Sequence, residues 1–146
     1  MQLLNRTFLV TGGASGLGAA VVAEFSAAGA NVAIADINEP RDAPSGETAQ
    51  RIRFKKTDVA DESQVQAAID LAVAEFGALH GVVNCAGIAT AERAIGREGP
   101  QPLDHFERVV RINLIGTFNV IRLAAAQMLK QDAQPDEDRG VIVCTA

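Results

Sequence analysis

The chain's 146 residues suffice for one domain, which at this size buries roughly 70% of its unfolded surface. Its 48% hydrophobic and 21% charged residues are ordinary globular values, and a net charge of −5 argues against a nucleic-acid partner, which calls for a basic patch. With no run near ~18 apolar residues, no cationic leader and no metal-ligand spacing around Cys85 and Cys144, the expectation is a cytoplasmic protein with no membrane partner and no metal.

Along the chain, apolar strands alternate with amphipathic helices. Residues 6–11 read as a short buried strand, Phe8, Leu9 and Val10 being contiguous before a glycine pair. Leu17, Ala20, Val21, Phe25 and Ala28 then recur at helical spacing, with Gly29 where a helix cap falls. NVAIAD is a second strand that ends on Asp36, and residues 37–50, polar and broken by two prolines, read as loop with room for a short helix. RIRFKKTDV alternates weakly as a third strand. From Asp61 the signal sharpens: Val65, Ala68, Ile69, Ala72, Val73 and Phe76 make one apolar face. Asp61 with Gln64 gives it a capping-box start and Gly77 a stop. LHGVVNCAG is the fourth strand, 88–102 a loop marked by glycine and proline, and 104–130 a long helix. QDAQPDEDRG is a charged loop, and VIVCT a fifth strand that reads as buried on both faces. Such alternation implies right-handed crossovers and a doubly wound α/β fold with a parallel sheet, the Rossmann layout, in a single domain over 1–146.

In that layout ligands lie beyond the carboxyl ends of the strands, where strand order reverses, and the turn after the first strand leads there. TGGASGLG, residues 11–18, places Gly12, Gly16 and Gly18 at G-x-x-x-G-x-G. Glycine takes positive φ in a tight turn and lets backbone amides approach a phosphate. The helix beginning near Gly16 aims its free N–H groups at the same spot. Ser15 adds a hydroxyl donor, and Leu17 lies in the same turn. The plainer alternative is that these glycines only let helix and strand pack closely.

Asp36 shifts the balance. It closes the second strand 24 residues after Gly12, near where dinucleotide folds set a carboxylate on the adenosine ribose. Such a carboxylate accepts from the ribose hydroxyls and repels a 2′-phosphate, which favours NAD over NADP; Arg41 in the following loop could blunt that preference. A helix cap or a solvated strand end are the ordinary alternatives for Asp36.

With those two features in place, the chain resembles the short-chain dehydrogenase/reductase family over essentially its whole length. The family's T-G-x-x-x-G-x-G stands here as TGGASGLG. Its Asp-Val after the third strand, which sets a carboxylate on the adenine amino group, stands as Asp58-Val59. Its N-N-A-G closing the fourth strand stands as Asn84-Cys85-Ala86-Gly87, and the asparagine of its long fourth helix as Asn113. GTFNVIRLAA and the loops around it look closest to the branch of type II 3-hydroxyacyl-CoA dehydrogenases, similar to 17β-hydroxysteroid dehydrogenases of type 10. The resemblance implies an oxidoreductase that moves hydride between a secondary alcohol and NAD, with a 3-hydroxyacyl-CoA ahead of a hydroxysteroid or small alcohol, working as a homotetramer. It implies cofactor contacts from Gly12, Ser15, Gly16, Leu17, Gly18, Asp36, Asp58, Val59, Asn84, Cys85, Ala86 and Gly87. For Asn113 it implies a catalytic place, holding a water of the proton relay. On the residues alone, Asp58 and Val59 are also a plain strand end, Asn84 a turn former and Asn113 a buried structural amide. Cys85, His80 and His105 read as packing or surface residues.

The family's proton-transfer set is a serine after the fifth strand, then a tyrosine and a lysine in a Y-x-x-x-K helix, the lysine lowering the tyrosine's pKa. None stands at a matching position here, and the sequence holds no tyrosine. VIVCT in the family's strand order would be an outer edge with neither charge nor proline to blunt it. Two further strands and the Tyr/Lys helix are therefore expected outside these residues, and the segment alone is expected to be inactive and to self-associate. A contrasting function is a non-catalytic dinucleotide-sensing or scaffolding module that ends at residue 146, with a flavin-binding electron carrier behind it.

Overall fold

Two apolar runs, Thr7–Thr11 and Asn31–Asp36, form the paired strands β1 and β2 of the computed structural model, which describes residues 2–41, 46, 48–97, 99–132 and 138–145. Ile52–Lys56 (β3), Gly81–Asn84 (β4) and Val141–Cys144 (β7) complete a sheet in the order β3-β2-β1-β4-β7, parallel throughout. Strand order reverses at β1, so the crevice beyond its carboxyl end, between β2 and β4, is the ligand position of a doubly wound sheet. The expected fold class is the observed one, and all five expected strands are present, the third and fourth shorter than their expected runs.

Successive side chains of a strand face opposite sides, and the core divides accordingly. Val10, Val32, Ile34 and Val83 meet Val22 of helix α1 (Gly16–Ala27) on one face. Leu9, Ala33, Ala35 and Val82 meet helices α3 (Glu62–Phe76) and α5 (Thr117–Leu129) on the other. Helix α2 is a single turn, Thr48–Arg51, at the end of the segment expected to be loop, of which 42–45 and 47 lie outside the described residues.

α3 starts and stops where its sequence says. The Asp61 carboxylate accepts from the Gln64 backbone N–H at 3.0 Å and from its side-chain amide at 3.2 Å, and Gly77 ends the helix at φ 86°. α1 departs from its expected face: the buried stripe is Gly18, Val22 and Ser26, while Leu17 is 70% exposed and Ala20 and Ala28 face outward. Alanine and valine surround this helix, so periodicity cannot choose its phase. The contact of Gly18 with the Gly12 carbonyl chooses it instead, since a Cβ on Gly18 would run into that oxygen.

Three other segments differ from expectation. The 88–102 loop contains a two-residue antiparallel pair, β5 (Ile95–Gly96) with β6 (Gly99–Pro100). The long helix is continuous over Leu103–Leu129 but winds as α4 (Leu103–Val110), a π-helical stretch Arg111–Gly116, and α5. At 27 residues it is long and apolar enough to cross a bilayer by length and composition; Val120, Ala124 and Met128 pack its α5 part on the sheet, while α4 buries none of its residues. β7 is not buried on both faces: Val141 is 39% and Val143 47% exposed, because β4 covers one edge and only Ile142 joins the core.

Candidate cofactor site

The turn between β1 and α1 opens onto a cavity of about 370 Å³ at the carboxyl ends of the strands, within the range of small-ligand pockets. Gly12 (φ 65°) and Gly16 (φ 53°) take the left-handed conformation the turn requires. Their roles differ. A Cβ on Gly12 would come within 2.8 Å of the Cys85 carbonyl carbon and the Ala86 nitrogen, so Gly12, like Gly18, permits close packing. A Cβ on Gly16 would meet no atom within 4 Å and would project into open space. The packing explanation therefore holds for two of the three glycines and fails for Gly16. Ser15 is the N-cap of α1 but its hydroxyl caps nothing, so it remains available to a ligand, as do the first-turn amides of α1. Ser15, Gly16 and Leu17 are all exposed at the cavity mouth.

Asp36 is 8% exposed and lines the same cavity. Its Oδ2 accepts from the Ala14 N–H at 3.0 Å and its Oδ1 from the Asn38 N–H at 2.9 Å. The carboxylate thus ties the glycine turn to the end of β2. An ionised carboxylate offers about four acceptor positions, so two remain for hydroxyl donors. Asp58 and Val59, just past the end of the neighbouring strand β3, also line the cavity: the Asp58 Oδ1 accepts from the Ala60 N–H at 2.9 Å, and its own N–H donates to the Gln64 Oε1 at 2.9 Å. Arg41 does not line the cavity.

After β4, Cys85, Ala86 and Gly87 line the cavity, but Asn84 does not. Asn84 is buried between strands, its Oδ1 accepting from the Thr11 hydroxyl at 3.4 Å and its carbonyl from the Thr145 N–H and hydroxyl at 3.1 and 3.0 Å. It supports the site from behind. Thr11 completes that support, its Oγ1 accepting from the N–H groups of Cys85 (3.2 Å) and Ala86 (3.1 Å). The Cys85 thiol is pushed up by burial, against a smaller opposing hydrogen bond from Thr145, which leaves it protonated at neutral pH and suits a packing residue.

Asn113 is exposed, unlike the buried structural amide that is its plainer alternative, and its amide is used twice. Oδ1 accepts from the Ile88 N–H and Nδ2 donates to the Ile88 carbonyl, both at 2.9 Å. Since Ile88 lines the cavity, Asn113 reaches the site through that residue. The π-helical stretch holds Asn113 at its centre. Ile37, Asn38, Thr57, Ile88 and Ile112 also line the cavity and carried no motif. All but Ile112 directly follow a strand or its closing motif, and that adjacency is the signal that could have found them.

Apart from the cavity, His80 Nδ1 accepts from the Thr7 N–H at 3.0 Å and serves the sheet. His105 pairs with Glu92 at 2.9 Å on the surface, where the carboxylate raises the imidazole's pKa and the imidazole lowers the carboxylate's.

A parallel sheet with a glycine turn, a helix N-terminus and an acid converging at its switch point defines a dinucleotide-binding α/β protein. The sequence comparison is narrower: residues 6–146 match the family described as short chain dehydrogenase, and the chain belongs to that family of oxidoreductases. It is 42% identical to a 3-hydroxyacyl-CoA dehydrogenase type-2 of Drosophila melanogaster, over 99% of this chain and 58% of that protein. To the Homo sapiens protein of the same name it is 40% identical, over 94% of this chain and 54% of the relative. Among solved structures, a short-chain type dehydrogenase/reductase from Mycobacterium ulcerans superposes with a TM-score of 0.81 at 34% identity, covering 99% of this chain and 52% of that one. The chain spans about half the length of the curated relatives it matches.

Proposed function

We propose that these residues form the cofactor-binding part of an NAD-dependent oxidoreductase that interconverts a secondary hydroxyl and a ketone. The observation that carries this reading is the Asp36 carboxylate, bound to the Ala14 N–H and facing the same cavity as Gly16 and the α1 N-terminus. The residues present fit such a cofactor: a glycine whose Cβ would enter open space, an uncommitted Ser15 hydroxyl, and an acid with acceptor capacity to spare. Gly12, Ser15, Gly16, Leu17 and Gly18 would hold the pyrophosphate, Asp36 the adenosine ribose, and Asp58 and Val59 the adenine. Cys85, Ala86 and Gly87 would pack along the cofactor toward its nicotinamide end, with Asn84 bracing them. When bound, NAD supplies a hydride acceptor at its nicotinamide.

Asp36 presents negative charge where a 2′-phosphate would lie, which supports NAD over NADP. Asn113 is a positioning residue, fixing Ile88 by two hydrogen bonds and so the wall beside which a relay water would be ordered. A 3-hydroxyacyl-CoA is the first substrate candidate, on the strength of the relatives so named. With no tyrosine in the sequence, the 146 residues alone would bind cofactor without turnover. Phe106, Leu114, Ile115 and Phe118, exposed along the long helix, would meet a second copy in a homotetramer.

Calorimetric titration of NAD and NADP into the protein and its Asp36→Ala variant tests the reading. Loss of two charge-assisted hydrogen bonds should weaken NAD by about tenfold or more and erase the preference over NADP. A variant that binds NAD as tightly as the parent would remove Asp36 from the site. A non-catalytic module draws on the same missing tyrosine, and turnover by the full-length protein would exclude it.

A further inference from the structure

Six residues beyond Asn113, the same helix carries a second asparagine that the motifs leave without a role. Asn119 is buried, and its Nδ2 donates to the carbonyl of Val59 at 2.9 Å, across 60 positions of sequence. Val59 is the apolar part of the cavity's Asp58-Val59 wall. The turn between β3 and α3 is anchored at its start, where the Thr57 N–H donates to the Asp36 carbonyl at 2.8 Å, and beyond Thr57 it carries local bonds: Ala60 N–H to Asp58, Asp61 N–H to the Asp58 carbonyl, and Asp58 N–H to Gln64. Those local bonds give the rest of the turn its shape. Asn119 anchors it a second time, at Val59, from the helix side.

Two further contacts support the assignment. Gly116, one helical turn earlier, is packed against Val59 so closely that a Cβ there would come within 2.5 Å of its Cγ2. On the other side, the Asn119 Oδ1 accepts from Arg122 Nη2 at 2.7 Å and Nε at 3.1 Å, which orients the amide so that its nitrogen faces Val59. Arg122 in turn pairs with Glu62 at 2.7 Å, in the first turn of α3, next to the Asp61 cap. A buried amide in a helix interior must have partners, and here both ends are used.

We infer that Asn119 is a positioning residue for the adenine end of the cofactor site, holding the Asp58-Val59 wall at its distance from Asp36 through an Arg122-oriented amide. This rests on the dinucleotide reading above. The two asparagines divide the work: Asn113 holds Ile88 and Asn119 holds Val59, both of which line the cavity.

The test uses AMP and nicotinamide mononucleotide as probes in calorimetry on the full-length protein, with KM for NAD and kcat measured beside them. Asn119→Asp keeps the side chain's size but has no donor for the Val59 carbonyl. It should weaken AMP by about tenfold, raise KM for NAD in step, and leave nicotinamide mononucleotide affinity and kcat unchanged. Arg122→Met, altered only at the surface, should give the same pattern at about twofold to threefold should the buried variant not fold. Equal losses for both half-ligands, or AMP affinity unchanged in a folded Asn119 or Arg122 variant, would overturn the inference. Wild-type protein that binds neither AMP nor NAD would overturn it together with the dinucleotide reading, and that outcome is distinct from the other two.

Discussion

β1 and β7 are both apolar strands of one parallel sheet, and they end up in opposite circumstances. All five residues of β1 are buried, flanked by β2 and β4 and covered on both faces. Among the described residues β7 pairs with β4 alone, and Val141 and Val143 stay exposed, as do Phe106, Leu114, Ile115 and Phe118 on the long helix. Two different tasks follow. The β1 side is over-determined by packing and hydrogen bonds and can hold a turn in an unfavourable conformation. The β7 side presents apolar surface of the kind that marks association.

That contrast is broken most severely at Gly18. Gly18→Ala forces a methyl into the Gly12 carbonyl and should cost about 3 kcal/mol in urea unfolding, with loss of cofactor binding. Gly16→Ala meets no atom, so the expected cost is only the ~1–2 kcal/mol of its left-handed conformation, while NAD affinity falls because the methyl enters the cavity. If both variants lose equal stability, the separation of packing glycine from ligand glycine is wrong. On the other side, Phe106→Glu or Ile115→Glu should shift sedimentation toward monomer without changing NAD affinity; unchanged sedimentation would show that this face is not used in self-association.

The smallest expected effect concerns the surface pair of His105 and Glu92. His105 is raised by the Glu92 hydrogen bond, so its contribution is full below the ordinary imidazole value of about 6.5 and is lost as pH rises through the higher folded value. Glu92 is lowered by the His105 hydrogen bond, so its contribution is full above the ordinary carboxylate range and is lost as pH falls through the lower folded value. The pair therefore helps most near pH 5–6.5. Thermal unfolding of His105→Gln should differ from the parent by a degree or so there and converge with it above pH 8. A difference that persists at pH 9 would assign the effect to packing rather than charge.

Where the sequence was legible, one local rule decided the outcome. β2 ends on Asp36 as read, and α3 runs from its Asp61 cap to Gly77, because capping chemistry and contiguous burial act within a few residues. Legibility failed where distant contacts decide. The phase of α1 depends on Gly18 meeting Gly12, a backbone contact invisible to periodicity. The π-helical stretch at Asn113 leaves no mark in the apolar pattern, and Asn113 proved exposed with both amide ends bonded to Ile88. The motif implies a cofactor contact for Asn84, whereas its neighbours Cys85, Ala86 and Gly87 line the cavity and its own amide turns to Thr11. Asn119 carries no motif in the sequence, and its tie to Val59, 60 positions away, exists only in the folded chain.

The most direct measurement is an NMR titration of NAD into isotope-labelled protein, following backbone amides. The expected result is saturable shifts concentrated at residues 12–18, with Asp36, Asn38 and Val59 responding at the same midpoint. Shifts confined to the long helix or the β7 edge, with the 12–18 amides still, would contradict a nucleotide held at the end of β1.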